Sequence, residues 1–355
     1  MRTMKHLAPL TLLVLFIGLA PARAQDIHFS QYYASPATLN PATTGFINGD
    51  FRVALNYRSQ WMPIPTLNAM ATYNTYQASF DYSLLRDRLD GNVLGIGGMF
   101  YADEAGDGSL TTQSAMISLA YHQKVDRFGR SRIGIGMQGG FVNKRIFQND
   151  LLFEQQFDDL LNTFNPFLPN GEEANFQDQS IFYGDFNIGA MWSSRPTDKI
   201  AYAFGVTVNH VARPGESFLG SDNEIDHRYV VHGSAEFRTN ESFKITPTFL
   251  YMLQSQFQQF NLGSGFEYKF AEEFSGHIGA WTRIAGGIDG FRPDAVILAI
   301  GGETYNTRLG ISYDLNVSDL RAATNSNGAL EVSLIYIHNK VEPGRVHWER
   351  FCPAF

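Results

Sequence analysis

Phe51-Arg52-Val53-Ala54-Leu55-Asn56-Tyr57-Arg58 alternates without a break: Phe51, Val53, Leu55 and Tyr57 share one face, and Arg52, Ala54, Asn56 and Arg58 the other. Such a period of two marks a strand with one apolar and one small or polar face. The same pattern, broken by turn chemistry, recurs around residues 71–83, 92–102, 111–123, 131–145, 180–193, 199–211, 227–238, 243–254, 258–270, 275–284, 294–303, 306–316 and 329–339. Leu309-Ile311-Tyr313-Leu315, for example, backs onto Arg308-Gly310-Ser312-Asp314-Asn316. About 14 strands result, an even number at roughly 24 residues each with its loop, which predicts an all-β chain forming an antiparallel up-and-down transmembrane β-barrel.

The connections support closure. Most even-numbered ones are short (Phe128-Gly129, 195–198, Thr239-Asn240, 303–306), and odd-numbered ones tend to be longer (59–70, 146–179, 212–226, 285–293, 317–328). Outer-membrane barrels show this asymmetry, with the short turns at the periplasm. Tyr57, Phe100, Tyr202 and Tyr313 fall near strand ends, where amphipathic rings favour the bilayer interface. Glycines such as Gly95, Gly136, Gly189 and Gly205 interrupt strands; they weaken a soluble strand but relieve crowding where a closed sheet bends. The alternative is a secreted β-sandwich. A soluble chain of this length would normally divide into smaller domains, and no linker is visible.

Composition narrows the class. The chain has 355 residues, 44% hydrophobic and 14% aromatic but only 17% charged, against about 25% charged in a soluble domain. So many aromatics exclude disorder, and a single cysteine, Cys352, excludes a disulfide scaffold. A net charge of −8 argues against nucleic acid as a partner. Helical membrane proteins need repeated apolar runs of about 20 residues, and only Leu7–Ala20 approaches one.

That run belongs to an export signal over 1–24. Arg2, Lys5 and His6 precede it, and Ala22-Arg23-Ala24 supplies the small residues for cleavage between Ala24 and Gln25. A membrane anchor is the alternative, disfavoured by the short run and by Pro21. Losing Arg2, Lys5 and Arg23 and no acid takes the net charge from −8 to −11. The expected organisation is a signal over 1–24, an N-terminal segment over 25–49, strands over 50–339 and a tail over 340–355. The long connection 146–179 carries seven acids and large apolar residues that include Leu151, Leu152, Phe153, Phe157, Leu160, Leu161, Phe164 and Phe167, with no Lys or Arg. Part of it is expected to form a short amphipathic helix, and it reads either as a solvated surface loop or as a partner-docking or lumen-folded loop.

Catalytic signals are weak. Gly134-Ile135-Gly136-Met137-Gln138-Gly139 matches G-x-G-x-x-G, but a dinucleotide site needs that motif between a strand and a helix, and here it lies within an alternating strand. The nine histidines are dispersed, without metal-ligand spacing, and no G-x-S-x-G occurs. Neither cofactor nor metal is expected, and no enzyme; Ser, His and Asn assembled from adjacent strands would be the exception.

Two segments are more specific. Residues 25–46 run Gln25-Asp26-Ile27-His28-Phe29-Ser30-Gln31-Tyr32-Tyr33-Ala34-Ser35-Pro36-Ala37-Thr38-Leu39-Asn40-Pro41-Ala42-Thr43-Thr44-Gly45-Phe46. Pro36 and Pro41 remove ladder donors, so this aromatic stretch must bury itself outside the sheet. It is expected at the periplasmic mouth, packed on lumen side chains through His28, Phe29, Ser30, Gln31, Tyr32, Pro36, Asn40 and Pro41, or else contacting a partner; an ordinary ordered arm is the alternative. Arg58, Gln60 and Trp61 end the first strand as interface anchors or partner contacts. Asp314 and Asn316 are expected to pair with Arg58 or Arg308 in a polar lumen network.

Together with Tyr57-Arg58-Ser59-Gln60-Trp61, Ser312–Ser318, Asn327–Tyr336 and Cys352-Pro353-Ala354-Phe355, the N-terminal motif closely resembles the PorP/SprF family. The family commonly ends Cys-Pro-Arg-Phe, so Ala354 replaces a basic residue. The resemblance implies an outer-membrane component of type IX secretion and gliding motility. It also implies work with secretion components at the periplasmic face, and a role in exporting or holding a large secreted adhesin at the surface, with outer-membrane lipid around the barrel. An outer-membrane porin or transport channel is the alternative function.

Overall fold

The computed structural model describes residues 26–338, except 62–71, 86–88, 90, 107–109, 148–153, 159–162, 166, 170–178, 219–222, 288–289, 320 and 322–325. The expected signal, its Ala24–Gln25 cleavage point and the tail with Cys352 lie outside the described residues.

Fourteen antiparallel strands close into a barrel. In chain order they begin with β1 (Phe51–Gln60), β2 (Tyr73–Leu84), β3 (Val93–Ala105), β4 (Leu110–Lys124) and β5 (Ser131–Ile146). After a two-stranded excursion, β6 (Phe157–Asp158) and β7 (Thr163–Phe164), the wall resumes with β8 (Gln179–Thr197), β9 (Ile200–Asn209), β10 (Arg228–Arg238) and β11 (Phe243–Gln254). It is completed by β12 (Phe257–Ala271), β13 (Phe274–Gly287), β14 (Gly290–Thr304), β15 (Thr307–Asn316) and β16 (Asn327–His338). The seam between β1 and β16 runs from Phe51 opposite His338 to Gln60 opposite Ala329. No edge is left open, as a bilayer requires.

The period of two sets the two faces. Along β4, Ser114, Met116, Ser118, Ala120 and His122 are buried in the lumen, whereas Ile117 is 67% and Leu119 45% exposed on the outside. Outward aromatics pair across strands, as do Tyr57 and Tyr76 (5.0 Å between ring centres) and Phe141 and Phe182 (5.2 Å). The exposed apolar side chains form a belt around the wall, the solution lipid demands.

Both barrel ends are defined by their connections. Tight turns join β8 to β9, β10 to β11, β12 to β13 and β14 to β15, whereas 147–178, 210–227 and 317–326 emerge at the other end. Two sequence expectations change. The segment 146–179 contains a 3-10 turn at Glu154–Gln156 and the β6–β7 hairpin, with Phe157 against Phe164, and no amphipathic helix among its described residues. The expected long loop 285–293 is mostly strand, because β13 runs to Gly287 and β14 starts at Gly290. Pro293 is accommodated there by a register shift opposite Arg283 and Ile284 that leaves Asp294 as the extra residue. As the strand bounds 243–254 and 258–270 anticipate, β11 and β12 are joined by only the two residues Ser255-Gln256, so the long-loop end has a low side.

Because Ile117 occupies the middle of β4 on the outer face, Ile117→Arg is expected to destabilise the barrel by about 2–4 kcal/mol in lipid. Urea titration in lipid vesicles measures this; a neutral outcome would mean that this face meets water.

Candidate functional site

The barrel interior is occupied by its own N-terminal segment. Short helical turns at Tyr32–Ala34, Pro36–Leu39 and Pro41–Thr43 compact it. Pro36 and Pro41 stand at first helical positions, where a missing N–H costs nothing. Asn40 caps the last turn by accepting from Ala42 N at 2.8 Å. From Phe29 to Ile47 the residues are buried except for half-buried Tyr33, Ala37 and Thr38.

Its path corrects the expected position at the periplasmic mouth: the segment traverses the lumen from the long-loop end to the short-turn end. Asp26 meets His210, Arg228 and Gln254, where β9 and β11 end and β10 begins. Tyr32, Leu39 and Asn40 lie midway, and Gly45 donates to Asp81 (2.7 Å) near the far end of β2. The physical reason is capacity. Fourteen strands enclose more space than inward side chains fill, and the inward face here is mostly Ser, Thr, Asn, Gln and Gly.

The upper third holds an ionic cluster. Arg58 Nη1 donates to Ser30 Oγ (2.8 Å), Asp314 Oδ2 (3.3 Å) and Glu331 Oε1, and its Nη2 donates to Gln60 Oε1 (3.2 Å). Arg283 Nη1 donates to the same Ser30 Oγ (3.0 Å) and Asp314 Oδ2 (2.9 Å), while its Nε reaches Asp294 Oδ2 (2.6 Å). Ser30 Oγ in turn donates to Asp314 Oδ2 (2.6 Å). The backbone N–H groups of Ser30 (2.6 Å) and Gln31 (2.8 Å) donate to the two oxygens of Glu331. Charges so buried hold their place only while every partner is present.

Below the cluster, Tyr32 Oη donates to Thr248 Oγ1 (2.7 Å), as does Trp281 Nε1 (2.8 Å), and Tyr33 stacks on Trp281 at 5.2 Å. Asn40 is the midpoint anchor. Its Nδ2 donates to the carbonyls of Ala190 (3.1 Å) and Val206 (3.3 Å) and lies 3.0 Å from His232 Nε2. Nearby Gly189 and Gly205 give the reason for two of the strand glycines: a Cβ at Gly189 would strike Asn40 Oδ1, and one at Gly205 would strike His232 and Asn40. They make room for the segment rather than for a bend. At the short-turn end Arg52 clamps Asp81 with Nε (2.9 Å) and Nη2 (3.1 Å), and Phe46 stacks on His122 at 4.9 Å.

Asp314 and Arg58 therefore meet, whereas Arg308 and Asn316 do not join them. Arg308 lies six residues from Asp314 along β15, about 20 Å at roughly 3.4 Å per residue, and it pairs with Glu267 (3.3 Å). Asn316 Oδ1 accepts locally from Ser318 N (2.9 Å). Trp61, with φ of 57°, sits edge-on to Tyr73 (5.0 Å) beyond the strand end. Sequence reasoning missed Arg283, Asp294, Glu331, Arg52, Asp81 and the Asp26–His210 pair. Charge on the inward parity of an otherwise apolar strand was the signal for Arg52, Arg283 and Glu331.

Two expected outcomes follow from this lining. Asn40→Ala removes a cap acceptor and a donor to two carbonyls, and about 2–4 kcal/mol of stability is expected to go with them; Asn40→Asp, which keeps the cap but sets a buried carboxylate against the carbonyls of Ala190 and Val206, should lose at least as much in a urea titration. The second concerns pH. His210 Nε2 lies 2.6 Å from Asp26 Oδ2, and its Nδ1 lies 3.0 Å from Asp185. Burial opposes its charge, but the two carboxylates prevail and push its pKa up to about 9 from 6.5. Burial likewise opposes ionisation of Asp26, yet Arg228 and His210 hold its carboxyl well below 3.8. A raised His contributes fully below its unfolded pKa and a lowered Asp above its own. Protection of residues 26–31 from hydrogen exchange should therefore be greatest between about pH 4 and 6.5 and fall as pH rises through about 9. His210→Gln should flatten the alkaline limb.

The chain has relatives by sequence family and by fold. A family model described as type IX secretion system membrane protein PorP/SprF matches residues 22–336. Many solved chains share the fold. A TodX monoaromatic hydrocarbon channel mutant is 12% identical with a TM-score of 0.50, covering 85% of this chain and 93% of its own. The toluene transporter TodX of Pseudomonas putida is 13% identical with a TM-score of 0.48, covering 88% and 94%. A FadL homologue of Pseudomonas aeruginosa is 11% identical with a TM-score of 0.45, covering 85% and 94%. The first of these, at 12% identity and a TM-score of 0.50, speaks for the barrel fold alone. No curated protein sequence matches. Matched from ahead of the lumen segment to the last strand, the chain belongs to the PorP/SprF family of type IX secretion system membrane proteins, and its barrel is an outer-membrane component of that system.

Proposed function

We propose that the barrel is a closed, non-catalytic base in the outer membrane, which docks secretion machinery at its short-turn end and holds a secreted adhesin at its long-loop end. The observation that carries this reading is the lumen: from Asp26 to Ile47 the chain's own backbone and side chains occupy it, tied to the wall by buried hydrogen bonds and ion pairs. A conduit needs a vacant, solvated path, and a base does not. The long-loop end supplies an apolar contact in Phe164 and Phe167, the latter 94% exposed, of the kind that marks an interaction site. Residues 26–46, expected at the periplasmic mouth or against a partner, serve as internal packing, which leaves the turns for contact with machinery.

In planar bilayers the wild-type barrel is expected to be electrically silent, and affinity capture of the intact barrel from its own membranes to retain type IX components together with a large surface adhesin. Steady conductance from the wild type, with neither class retained, would favour the channel alternative instead.

A further inference from the structure

The lumen segment covers only part of the short-turn end. It leaves along β2 to β4, through Thr44, Gly45 and Phe46 against Ser118, Asp81 and His122. On the other side of the mouth the turns β8–β9, β10–β11, β12–β13 and β14–β15 enclose a cavity of about 840 Å³. The Lys244–Glu267 ion pair (2.8 Å) forms part of its lining. Phe243, Phe274 and Tyr305 stand on its rim, with Tyr305 73% and Phe274 48% exposed, and six acidic side chains line it against four basic ones. An aromatic rim with surplus negative charge suits a segment that is itself aromatic and mildly basic.

Such a segment begins beside it. β16 ends at His338, and the preceding Ile337 N donates to Asn306 O at 2.8 Å, next to Tyr305 of the rim. Residues 339–355 continue from that point. They include Trp348, Phe351 and Phe355, with Lys340, Arg345 and Arg350 against Glu342 and Glu349. Their contour, about 50 Å at roughly 3.3 Å per residue, exceeds what crossing the cavity requires. We propose that residues 339–355 fold back across the short-turn end and fill this cavity, with aromatic side chains against Phe274 and Tyr305 and arginines against Glu272, Glu273 and Glu303. The assignment goes beyond the docking reading and does not depend on it; machinery arriving at this end would meet the tail first.

Cys352, the single cysteine, makes the test direct. Ser275→Cys places a thiol in the cavity wall, and Val125→Cys places one in the exposed β4–β5 turn across the mouth. In the full-length barrel in lipid vesicles under mild oxidation, the disulfide from Ser275→Cys to Cys352 is expected to form about tenfold faster than that from Val125→Cys, because docking raises the local concentration of Cys352. Equal rates, or no cross-link from either, overturn the proposal. A second measurement needs no added thiol. Maleimide labelling of Cys352 should accelerate about tenfold when Ser275→Trp fills the cavity; an unchanged labelling rate in a correctly folded Ser275→Trp barrel also overturns it.

Discussion

Ser30 Oγ lies where two buried guanidiniums and a buried carboxylate converge, and the rest of the interior depends on the condition that point illustrates. A barrel of fourteen strands turns dozens of polar side chains away from lipid into a space that they cannot fill themselves. Each must find a partner or carry the cost of an unpaired group in a low-dielectric interior. Without Ser30 and Gln31, Arg58, Arg283 and Asp314 would keep their ion pairs but lose the hydroxyl they share, and Glu331 would lose two backbone N–H donors. The lumen segment is therefore part of the core of this protein, as a central helix is part of the core of a bundle.

This condition explains the unusual division of labour along the strands. Lipid-facing positions carry the hydrophobicity, while the inward face consists of residues chosen for hydrogen-bonding capacity or for absence of bulk. Gly189 and Gly205 are small because Asn40 stands on them. Thr248 is polar because the Tyr32 hydroxyl and the Trp281 indole both donate to it. Low overall charge and moderate mean hydropathy are both consequences: half of each strand is apolar, and the other half is mainly small or neutral polar, with its ionised side chains gathered into a few paired clusters.

The wall was legible in the sequence because it is built from local regularities. The parity of Phe51 to Arg58 assigns Arg52, Asn56 and Arg58 to the lumen, and the same counting places Asp314 and Glu331 there. The proline-rich aromatic segment was legible as something other than strand. Its course was not, because the contacts that fix it join residues about 300 apart, such as Ser30 and Glu331, and parity says nothing about depth along the axis. Arg308 shows this limit. It shares a face with Asp314 but sits about 20 Å away at roughly 3.4 Å per residue. The bulge that aims Asp294 at Arg283 was likewise hidden, since Pro293 suggested a loop. The family motifs pointed to the secretion role, which no single side chain encodes.

The direction of the lumen segment has a consequence for biogenesis. Residue 26 lies at the long-loop end, while the chain joins β1 at the opposite end, so the segment runs the full height of the wall. Once β1 and β16 have zipped together, no lateral gap remains through which that much chain can enter, and threading it lengthwise would drag its aromatics past a narrowed polar interior. The interior must then be laid down before the seam is sealed, with β2 to β15 curling around a strand of polypeptide already in place. In such an order the first residues exported serve as a template for the cylinder, and the last strand to arrive locks them in.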